Sequence, residues 1–257
     1  MFLCRFLYND LNPKYGLIDD CKIFILNSSF NIELDYIYYK DFITDEVNIS
    51  DVQFIPPCLP SKIVGIALNY PGVGEIKSGL DEPLAFIKGL NTLVLDDFAL
   101  NLPPHIMAWG ECELAAVIKH KVKNISSDKV HESILGFMPA NDITCNNFYK
   151  RDHHLARSKS ADGFCPVGKY IDLDYQYQNK KIQGYHNNIL IREGNTDDMI
   201  FSIEKIIKWL STWMTLNPGD IVLSGAPPRV RDKQFLKSGD LYSVKVEGFD
   251  DLNTEVL

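Results

Sequence analysis

The apolar residues of this sequence fall into short runs, and that division limits the available folds more than any other feature. IVGIALNY, LAFIK, ELAAVI and DIVLSG are each of strand length. One longer segment, MIFSIEKIIKWLSTWM, has the spacing of a helix with one apolar face, and LNPGD predicts its end. The residues predicted on that face are Ile200, Ile203, Ile207 and Leu210. Strands dominate and do not alternate regularly with helices, which predicts a mixed α+β fold.

A proline-rich segment divides the chain into two unequal parts. FIPPCLPSK resists both helix and central strand, because proline fixes its backbone and lacks an amide proton. Before it, the runs MFLCRFLYND, CKIFILN and LDYIYYK have β-like composition and are broken by Asn, Asp and Gly. We therefore predict a small β-rich N-terminal domain at residues 1–58 and a larger domain at 59–257. A packing or dimer-support role is the default for the first part.

Composition excludes some classes of partner. The 257 residues include 26 Lys and Arg and 34 Asp and Glu, a formal net charge of −8, whereas nonspecific binding to nucleic-acid phosphates needs a basic face. No run approaches the roughly 18 apolar residues of a membrane span, and the short N-terminal run is not typical of a secretory signal. The six cysteines lack C-x-x-C spacing. These features predict a cytoplasmic protein with reduced thiols and no nucleic-acid or membrane partner.

Two glutamates separated by one residue are the first candidates for chemistry. Glu111 and Glu113 open the run ECELAAVI. If this run is a strand, their side chains point to the same face and repel each other unless something positive lies between them. Magnesium and calcium, which take oxygen ligands, are the simplest neutralisers. A solvated strand edge is the alternative interpretation of the pair alone.

Two later segments supply further candidates. Asp142 ends the run ILGFMPA, where it is either a turn residue or a third carboxylate for a metal that leaves positions open to substrate and water. ARSKSADGFCPVG contains Lys159 and Asp162 in a Ser- and Gly-rich turn. Lys159 could stabilise an enolate or hold a carboxylate, and Arg157 could also hold a carboxylate. An ordinary charged surface loop explains this segment equally well.

Taken together and in this order, these segments resemble the fumarylacetoacetate hydrolase family over roughly residues 60 to 257. The resemblance rests on ALNY, EPLAFIK, ECELAAVI, ANDIT and SKSADGFCPVG. It continues through EGNTDDMIFSIEKIIKWLSTWMTLNPGDIVLSGAP and GDLYSVKVEGFDDLNTEV. SADGFCPVG and LNPGD look most similar to the isomerase/decarboxylase members of aromatic-acid catabolism, which act on ring-opened homoprotocatechuate products.

The resemblance implies a mixed β-sandwich roll and a homodimer. It implies Mg²⁺, with Mn²⁺ or Ca²⁺ as alternatives, bound by Glu111, Glu113 and Asp142, and an active-site lysine at Lys159. A small carboxylated 2-oxo acid or enol would chelate the metal through its 2-oxo group and carboxylate. The substrate-binding residues expected on this basis are Tyr70, Lys88, Arg157, Asp162, Gly225 and Ala226.

The sequence departs from the family pattern at two positions. Family members usually carry N-Y-x-x-H in a lid whose histidine activates water or moves protons, but here NYPGVGEIKSG places Val73 at that position. The G-T-P turn, whose threonine often contacts substrate, is SGAPP here, with Ala226 in its place. Loss of a general base costs on the order of 10²–10⁴ in rate, so water-activated hydrolysis is disfavoured.

Two other segments offer replacement bases. Glu75 lies in the same glycine-containing lid, where Gly72, Gly74 and Gly79 allow closure. His154, next to His153, precedes the active-site lysine, and a histidine pKa near neutrality suits proton transfer. A surface position is the other interpretation of the paired histidines.

Three functions are compatible with this pattern. The favoured one is an isomerase or decarboxylase of an unsaturated 2-oxo or 2-hydroxy acid, because this chemistry needs enolate stabilisation more than activated water. The second is a C–C hydrolase of an acylpyruvate or fumarylacetoacetate-like substrate. The third is a protein that binds metal and ligand without turnover.

Overall fold

A computed structural model describes residues 1–27, 41–74, 80–96, 98–147 and 150–257. The described residues form mostly strands, with two α-helices. The strands are β1 (Phe2–Leu7), β2 (Lys14–Asp19), β3 (Lys22–Leu26), β4 (Ile43–Asn48), β5 (Gln53–Ile55), β6 (Ile63–Ala67), β7 (Leu84–Lys88), β8 (Leu93–Leu95), β9 (Ala108–Trp109), β10 (Cys112–Ile118), β11 (Ile134–Asn141), β12 (Thr144–Cys145), β13 (Cys165–Val167), β14 (Tyr170–Asp172), β15 (Lys181–His186), β16 (Ile189–Asn195), β17 (Ile221–Leu223), β18 (Leu241–Val246) and β19 (Leu252–Glu255). The helices are α1 (Ala156–Lys159) and α2 (Ile203–Trp213).

A 13-stranded sheet forms the body of the described part of the chain, and its main order is β4-β3-β2-β1-β14-β11-β10-β17-β6-β7. Side chains of β10 alternate between two cores. Leu114 and Ala116 pack into one core with residues of β18 and α2, whereas Ala115 and Val117 pack into the other with β17 and β13. The four-stranded sheet β16-β15-β18-β19 contributes to the first core. This confirms the predicted α+β fold, in which sheets pack face to face.

The N-terminal strands continue the large sheet. β1 pairs antiparallel with β2, with β5 and with β14, which lies beyond the proline-rich segment. Phe2 thus lies opposite Ile18 on one side and Asp172 on the other. The predicted boundary between 1–58 and 59–257 therefore falls within one continuous sheet, and the division into two domains stays a prediction. The run LDYIYYK lies outside the described residues.

Helix α2 is shorter than the sequence predicted. Its first residue is Ile203, because the Ser202 side chain accepts a hydrogen bond from the Lys205 amide and caps the helix there. Ile203, Ile207 and Leu210 are buried as predicted. Ile200 was wrongly assigned to this face: it precedes the cap and is 39% exposed.

The cysteines are free thiols, as the sequence predicted. All six cysteines are free thiols, and every one except Cys21 is buried. Burial raises the pKa of Cys58 and Cys112 to about 12, so these thiols are inert neutral groups. Within the described ranges no helix has the length and apolar character needed to cross a membrane.

Alanine substitution of one isoleucine in α2 and of one before it should distinguish the buried face of the helix from the preceding segment. We expect Ile207→Ala to lower the free energy of unfolding by about 2–5 kcal/mol, because it leaves a cavity in the main core. Ile200→Ala should cost less than about 1 kcal/mol. Urea denaturation of both variants checks this, and equal losses would contradict the helix start at Ile203.

Candidate metal and substrate site

Three carboxylates converge at one end of the β10–β11 pair. Glu111 directly precedes β10 and Glu113 lies within it, so their side chains share one face of the strand. Asp142 follows β11, and its amide donates to the Glu111 carbonyl at 2.9 Å. One carboxylate oxygen from each residue lies within 4.8 Å of the others. Antiparallel pairing therefore brings together acids that are 31 positions apart in sequence.

Two lysines lie against these carboxylates. Lys159, at the end of α1, places its Nζ 3.0 Å from Glu111 Oε2 and 2.5 Å from Asp142 Oδ2. Lys88, at the end of β7, places its Nζ 2.6 Å from the other oxygen of Asp142. Thr144 bridges the group, since its hydroxyl accepts from Lys159 at 2.6 Å and lies 3.0 Å from Glu111 Oε2. Lys159 was predicted to lie beside the carboxylates, whereas Lys88 was expected only as a substrate contact.

Arg192 completes the charged cluster, and the sequence analysis did not identify it. Its guanidinium donates to Glu111 Oε1 at 2.5 Å and to the Pro227 carbonyl at 2.6 Å. The side chain is only 2% exposed. The one signal in the sequence is an arginine that directly follows the apolar run Ile189–Leu190–Ile191 in β16. A surface arginine at the end of a strand gives the same pattern.

The predicted SGAPP turn holds Glu113 through its backbone. The Gly225 amide donates to Glu113 Oε2 at 2.7 Å. Gly225 has a φ of 93°, and a Cβ there would lie 2.8 Å from that of Asn69, so only glycine fits. Ala226 is buried next to it. Tyr70 is also buried, and among the described residues its hydroxyl has no hydrogen-bond partner.

Burial and charge set the protonation of the cluster. Burial alone would raise the pKa of Glu111, but Lys159 and Arg192 hold that pKa well below its usual range. Burial and the Asp142 carboxylate raise the pKa of Glu113 well above its usual value. Burial would lower the pKa of Lys159, but Asp142 and Glu111 raise it overall, so Lys159 stays an ammonium ion.

The remaining predicted residues lie elsewhere or outside the described chain. Asp162 is exposed and accepts a hydrogen bond from Asn91 Nδ2 at 2.6 Å, which shapes its own turn. Arg157 and His154 are exposed in and before α1. Their substrate and base roles stay predictions. Glu75 lies outside the described residues.

The three carboxylates form a donor set that fits a hard divalent ion. Each supplies one oxygen, and these three oxygens lie within 4.8 Å of one another. Glu113 and Asp142 are almost fully buried. The Lys88 and Lys159 ammonium groups and the Arg192 guanidinium are paired with Glu111 or Asp142, which offsets the repulsion among the three carboxylates. These residues can hold Mg²⁺ or a similar ion, as the sequence predicted, and the identity of the ion stays a prediction.

Comparison with known proteins shows which family this chain is similar to. Residues 62–257 match the family model described as the C-terminal domain of fumarylacetoacetate (FAA) hydrolase. An uncharacterised protein of Methanocaldococcus jannaschii is 32% identical over 252 residues, which are 97% of each chain. The mitochondrial oxaloacetate tautomerase Fahd2a of Rattus norvegicus is 32% identical over 211 residues, 77% of this chain and 67% of that one.

Solved structures share the whole architecture. The 2-hydroxyhepta-2,4-diene-1,7-dioate isomerase from Mycobacterium marinum superposes with a TM-score of 0.84 at 26% identity, over 100% of this chain and 98% of the other. The similarity therefore includes the N-terminal strands as well as the segment that the family model matches.

Metal binding should expel a proton from Glu113. Because burial and Asp142 raise its pKa, this carboxyl keeps its proton to higher pH than an ordinary glutamate does, whereas a ligand must be ionised, so Mg²⁺ affinity should increase as the pH rises through that raised pKa. Calorimetry in two buffers of different ionisation enthalpy should then give different heats. Glu113→Gln should abolish most of the affinity, and the exposed Glu132→Gln should not. Equal heats in both buffers would contradict the assignment.

Proposed function

The chain belongs to the fumarylacetoacetate hydrolase family, and we propose that it is a divalent-metal-dependent isomerase or decarboxylase of a small unsaturated 2-oxo or 2-hydroxy acid. The observation that carries this proposal is the convergence of three carboxylates in a largely buried cluster, two of which, Glu111 and Asp142, are paired with Lys159. Such a cluster suits the stabilisation of an enolate, the intermediate common to proton shifts beside a carbonyl and to loss of CO₂.

Glu111, Glu113 and Asp142 are the residues that would hold the metal. When bound, a divalent ion supplies a Lewis acid for the 2-oxo group and carboxylate of a substrate. The protein provides this site at the ends of strands, with every carboxylate held by a backbone or side-chain donor. Fixed dipoles and charges of this kind require little reorganisation during a reaction.

The balance of charge indicates an anionic substrate. When all three carboxylates are ionised, as metal binding requires, their charge balances that of three buried or nearly buried cations, Lys88, Lys159 and Arg192. A divalent ion would leave an excess of two positive charges. A dianion, such as a 2-oxo acid with a second carboxylate or its enolate, would restore neutrality in a site where unpaired charge is costly.

Lys159 would act as a fixed positive charge and a proton donor. Its pKa is raised by Asp142 and Glu111 in spite of burial, so it cannot serve as a base near neutral pH. Its Nζ contacts both carboxylates and lies 4.5 Å from the centre of the Phe86 ring. These contacts hold the ammonium in place for an enolate oxygen that lies beside it.

Tyr70 supplies a second protonated group. Burial and the charge of Glu113 raise the pKa of its phenol far above the usual value, so the hydroxyl remains a donor. The hydroxyl is buried and, among the described residues, has no partner, so a substrate oxygen or carbon could receive its hydrogen bond or proton. Val73, whose amide donates to the Tyr70 carbonyl, adds apolar cover and no base.

The names of the relatives support rearrangement over cleavage. The rat protein is named an oxaloacetate tautomerase and the Mycobacterium marinum protein an isomerase. Hydrolysis of an acylpyruvate or fumarylacetoacetate-like substrate is the second candidate, with Glu75 or His154 as its base. Assays on enol oxaloacetate, hydroxymuconate-type enols and acylpyruvates, followed by ultraviolet absorbance with Mg²⁺ present, separate these candidates. No change with any of them would favour binding without turnover.

Removal of the Lys159 ammonium should separate catalysis from metal binding. We expect Lys159→Ala to lower turnover of the enol substrates by about 10²–10³, because a positive charge next to the enolate is lost. Mg²⁺ affinity should be kept or increased, because the ammonium competes for oxygens of Glu111 and Asp142.

The matched control is Lys169→Ala, which removes an exposed ammonium that is paired with Asp96. It should leave both turnover and Mg²⁺ affinity close to those of the wild type. Collapse of metal binding in Lys159→Ala would instead assign that lysine a structural role.

The lid position should determine whether water is activated. We expect the wild type to hydrolyse acylpyruvates weakly or not at all, since Val73 cannot accept a proton. Val73→His should raise that hydrolysis by about tenfold or more, part of the 10²–10⁴ that a positioned base supplies, and leave enol conversion less affected. Strong wild-type hydrolysis, unchanged by Val73→His but lost in Glu75→Gln or His154→Ala, would show that the second candidate is correct.

A further inference from the structure

A cleft lined largely by positive side chains opens beside the carboxylate cluster. We call it the basic cleft; its walls are residues 72–74, Arg192 and residues 229–233, and its volume is about 490 Å³. This volume is within the range of roughly 300–1,000 Å³ that is common for small-molecule sites. The cationic residues in its walls are Arg192, Arg229, Arg231 and Lys233. Asp232 is the only carboxylate among the described lining residues.

The basic cleft is continuous with the metal ligands. Arg192 lines it and also donates to Glu111 Oε1. Lys233 places its ammonium 3.4 Å from the centre of the Trp109 ring, and the Trp109 indole donates to the same Glu111 oxygen at 3.1 Å. A ligand with its head at Glu111 would therefore extend into the basic cleft.

The cationic wall is held by the backbone at both ends. The Val230 amide donates to the Ile191 carbonyl at 2.8 Å, and Arg229 pairs with Arg192 as an isolated bridge. Beyond the wall, the Leu236 amide donates to the Ala108 carbonyl at 2.8 Å. The arginines and the lysine therefore project from a fixed segment.

The positive charges of the wall exceed the negative charges that face them. Arg192 is paired with Glu111, but its Nε, although buried, has no hydrogen-bond partner in the described part of the chain. Asp232 offsets one of the three remaining cations. Burial and repulsion by neighbouring guanidinium groups lower the pKa of Arg229 and Lys233, and Glu111 opposes this only in part. Two positive charges remain for a ligand.

We propose that the basic cleft binds a dianionic group at the distal end of the substrate, either a phosphoryl group or a pair of carboxylates. This rests on the proposed function for the head of the molecule, the 2-oxo acid at the metal site. It adds that the substrate carries more charge than a simple dicarboxylate. Arg229 and Arg231 are its specificity-determining residues, because planar guanidinium groups match such oxyanions with paired hydrogen bonds.

Calorimetry on the Mg²⁺-loaded protein tests this with four probes. Oxalate represents the head alone, and oxaloacetate adds one distal carboxylate. 3-Phosphonopyruvate adds a phosphonate, and 4,4-dicarboxy-2-oxobutanoate adds two carboxylates. We expect at least one of the last two to bind about tenfold or more tightly than oxaloacetate, and the stronger of the two identifies the distal group.

Substitutions in the cleft test whether its arginines cause the tighter binding of the dianionic probes. In Arg229→Gln and in Arg231→Gln, the ratio of the dianionic probe's affinity to that of oxalate should fall about tenfold. Lys237→Gln removes an exposed charge from the same segment outside the cleft and should leave the ratio unchanged. The distal site is overturned, and the proposed function stands, if oxalate binds but the dianionic probes bind no more tightly than oxaloacetate. The same conclusion follows if the affinity ratio is unchanged in both arginine variants.

Binding of inorganic phosphate tests the opposite case, in which the anion site exists but the proposed function is wrong. Phosphate binding that is lost in Arg229→Gln and Arg231→Gln, in a protein that binds no oxalate with Mg²⁺, would support the anion site and overturn the proposed head-group chemistry.

Discussion

The ion pairs of Glu111 are the interaction on which the site depends. One carboxylate oxygen accepts from Arg192 and from the Trp109 indole, and the other contacts Lys159 and Thr144. These partners come from β16, β9, α1 and β12, so a single side chain joins four elements. Removal of one member of a buried ion pair typically costs about 3–5 kcal/mol, because the remaining charge is left without a counterion. Without Glu111, Arg192 would lose its one ion pair among the described residues, and Lys159 would keep only its pair with Asp142.

This network also explains how three acids can be buried at the end of one strand pair. Without cations, mutual repulsion would drive the carboxylates apart or leave more than one of them protonated. Lys88 and Lys159 each take one oxygen of Asp142, and the Gly225 amide takes one of Glu113. Only Glu113 lacks a direct cation, and it is the acid whose pKa is raised. The site is thus assembled before any ligand binds, and the proton on Glu113 is the one that a ligand must displace.

Much of this site could be predicted because it follows from local geometry. The alternation of side chains in a strand put Glu111 and Glu113 on one face, and the resemblance to the family added Asp142 as the third carboxylate. Arg192 could not be predicted in this way, because it is 81 positions from Glu111 and reaches it through the packing of a second sheet.

The misplaced helix start has a comparable cause. The periodicity extended to Ile200, but the Ser202 hydroxyl accepts a hydrogen bond from the Lys205 amide and caps the helix, which begins at Ile203. Gly225 was expected only as a substrate contact, since nothing local reveals that its amide holds Glu113. Contacts made by packing or by caps were therefore missed, whereas strand alternation was sufficient to place Glu111 and Glu113 on one face.

The protonation states of the buried groups determine whether the site is better suited to donate protons or to remove them. Lys159 and Tyr70 both stay protonated at neutral pH, so they can stabilise an oxyanion or donate a proton. Arg192 is always charged and can only stabilise an oxyanion. Loss of CO₂ leaves an enolate that needs only a proton, and ketonisation of an enol also ends with a proton delivered to carbon. Hydrolysis instead begins with removal of a proton from water. The three carboxylates of the cluster are the proposed metal ligands, and Asp232 is the only acid among the described residues that line the basic cleft. The donors of this site therefore suit reactions that end in protonation of an enolate better than reactions that begin with activation of water.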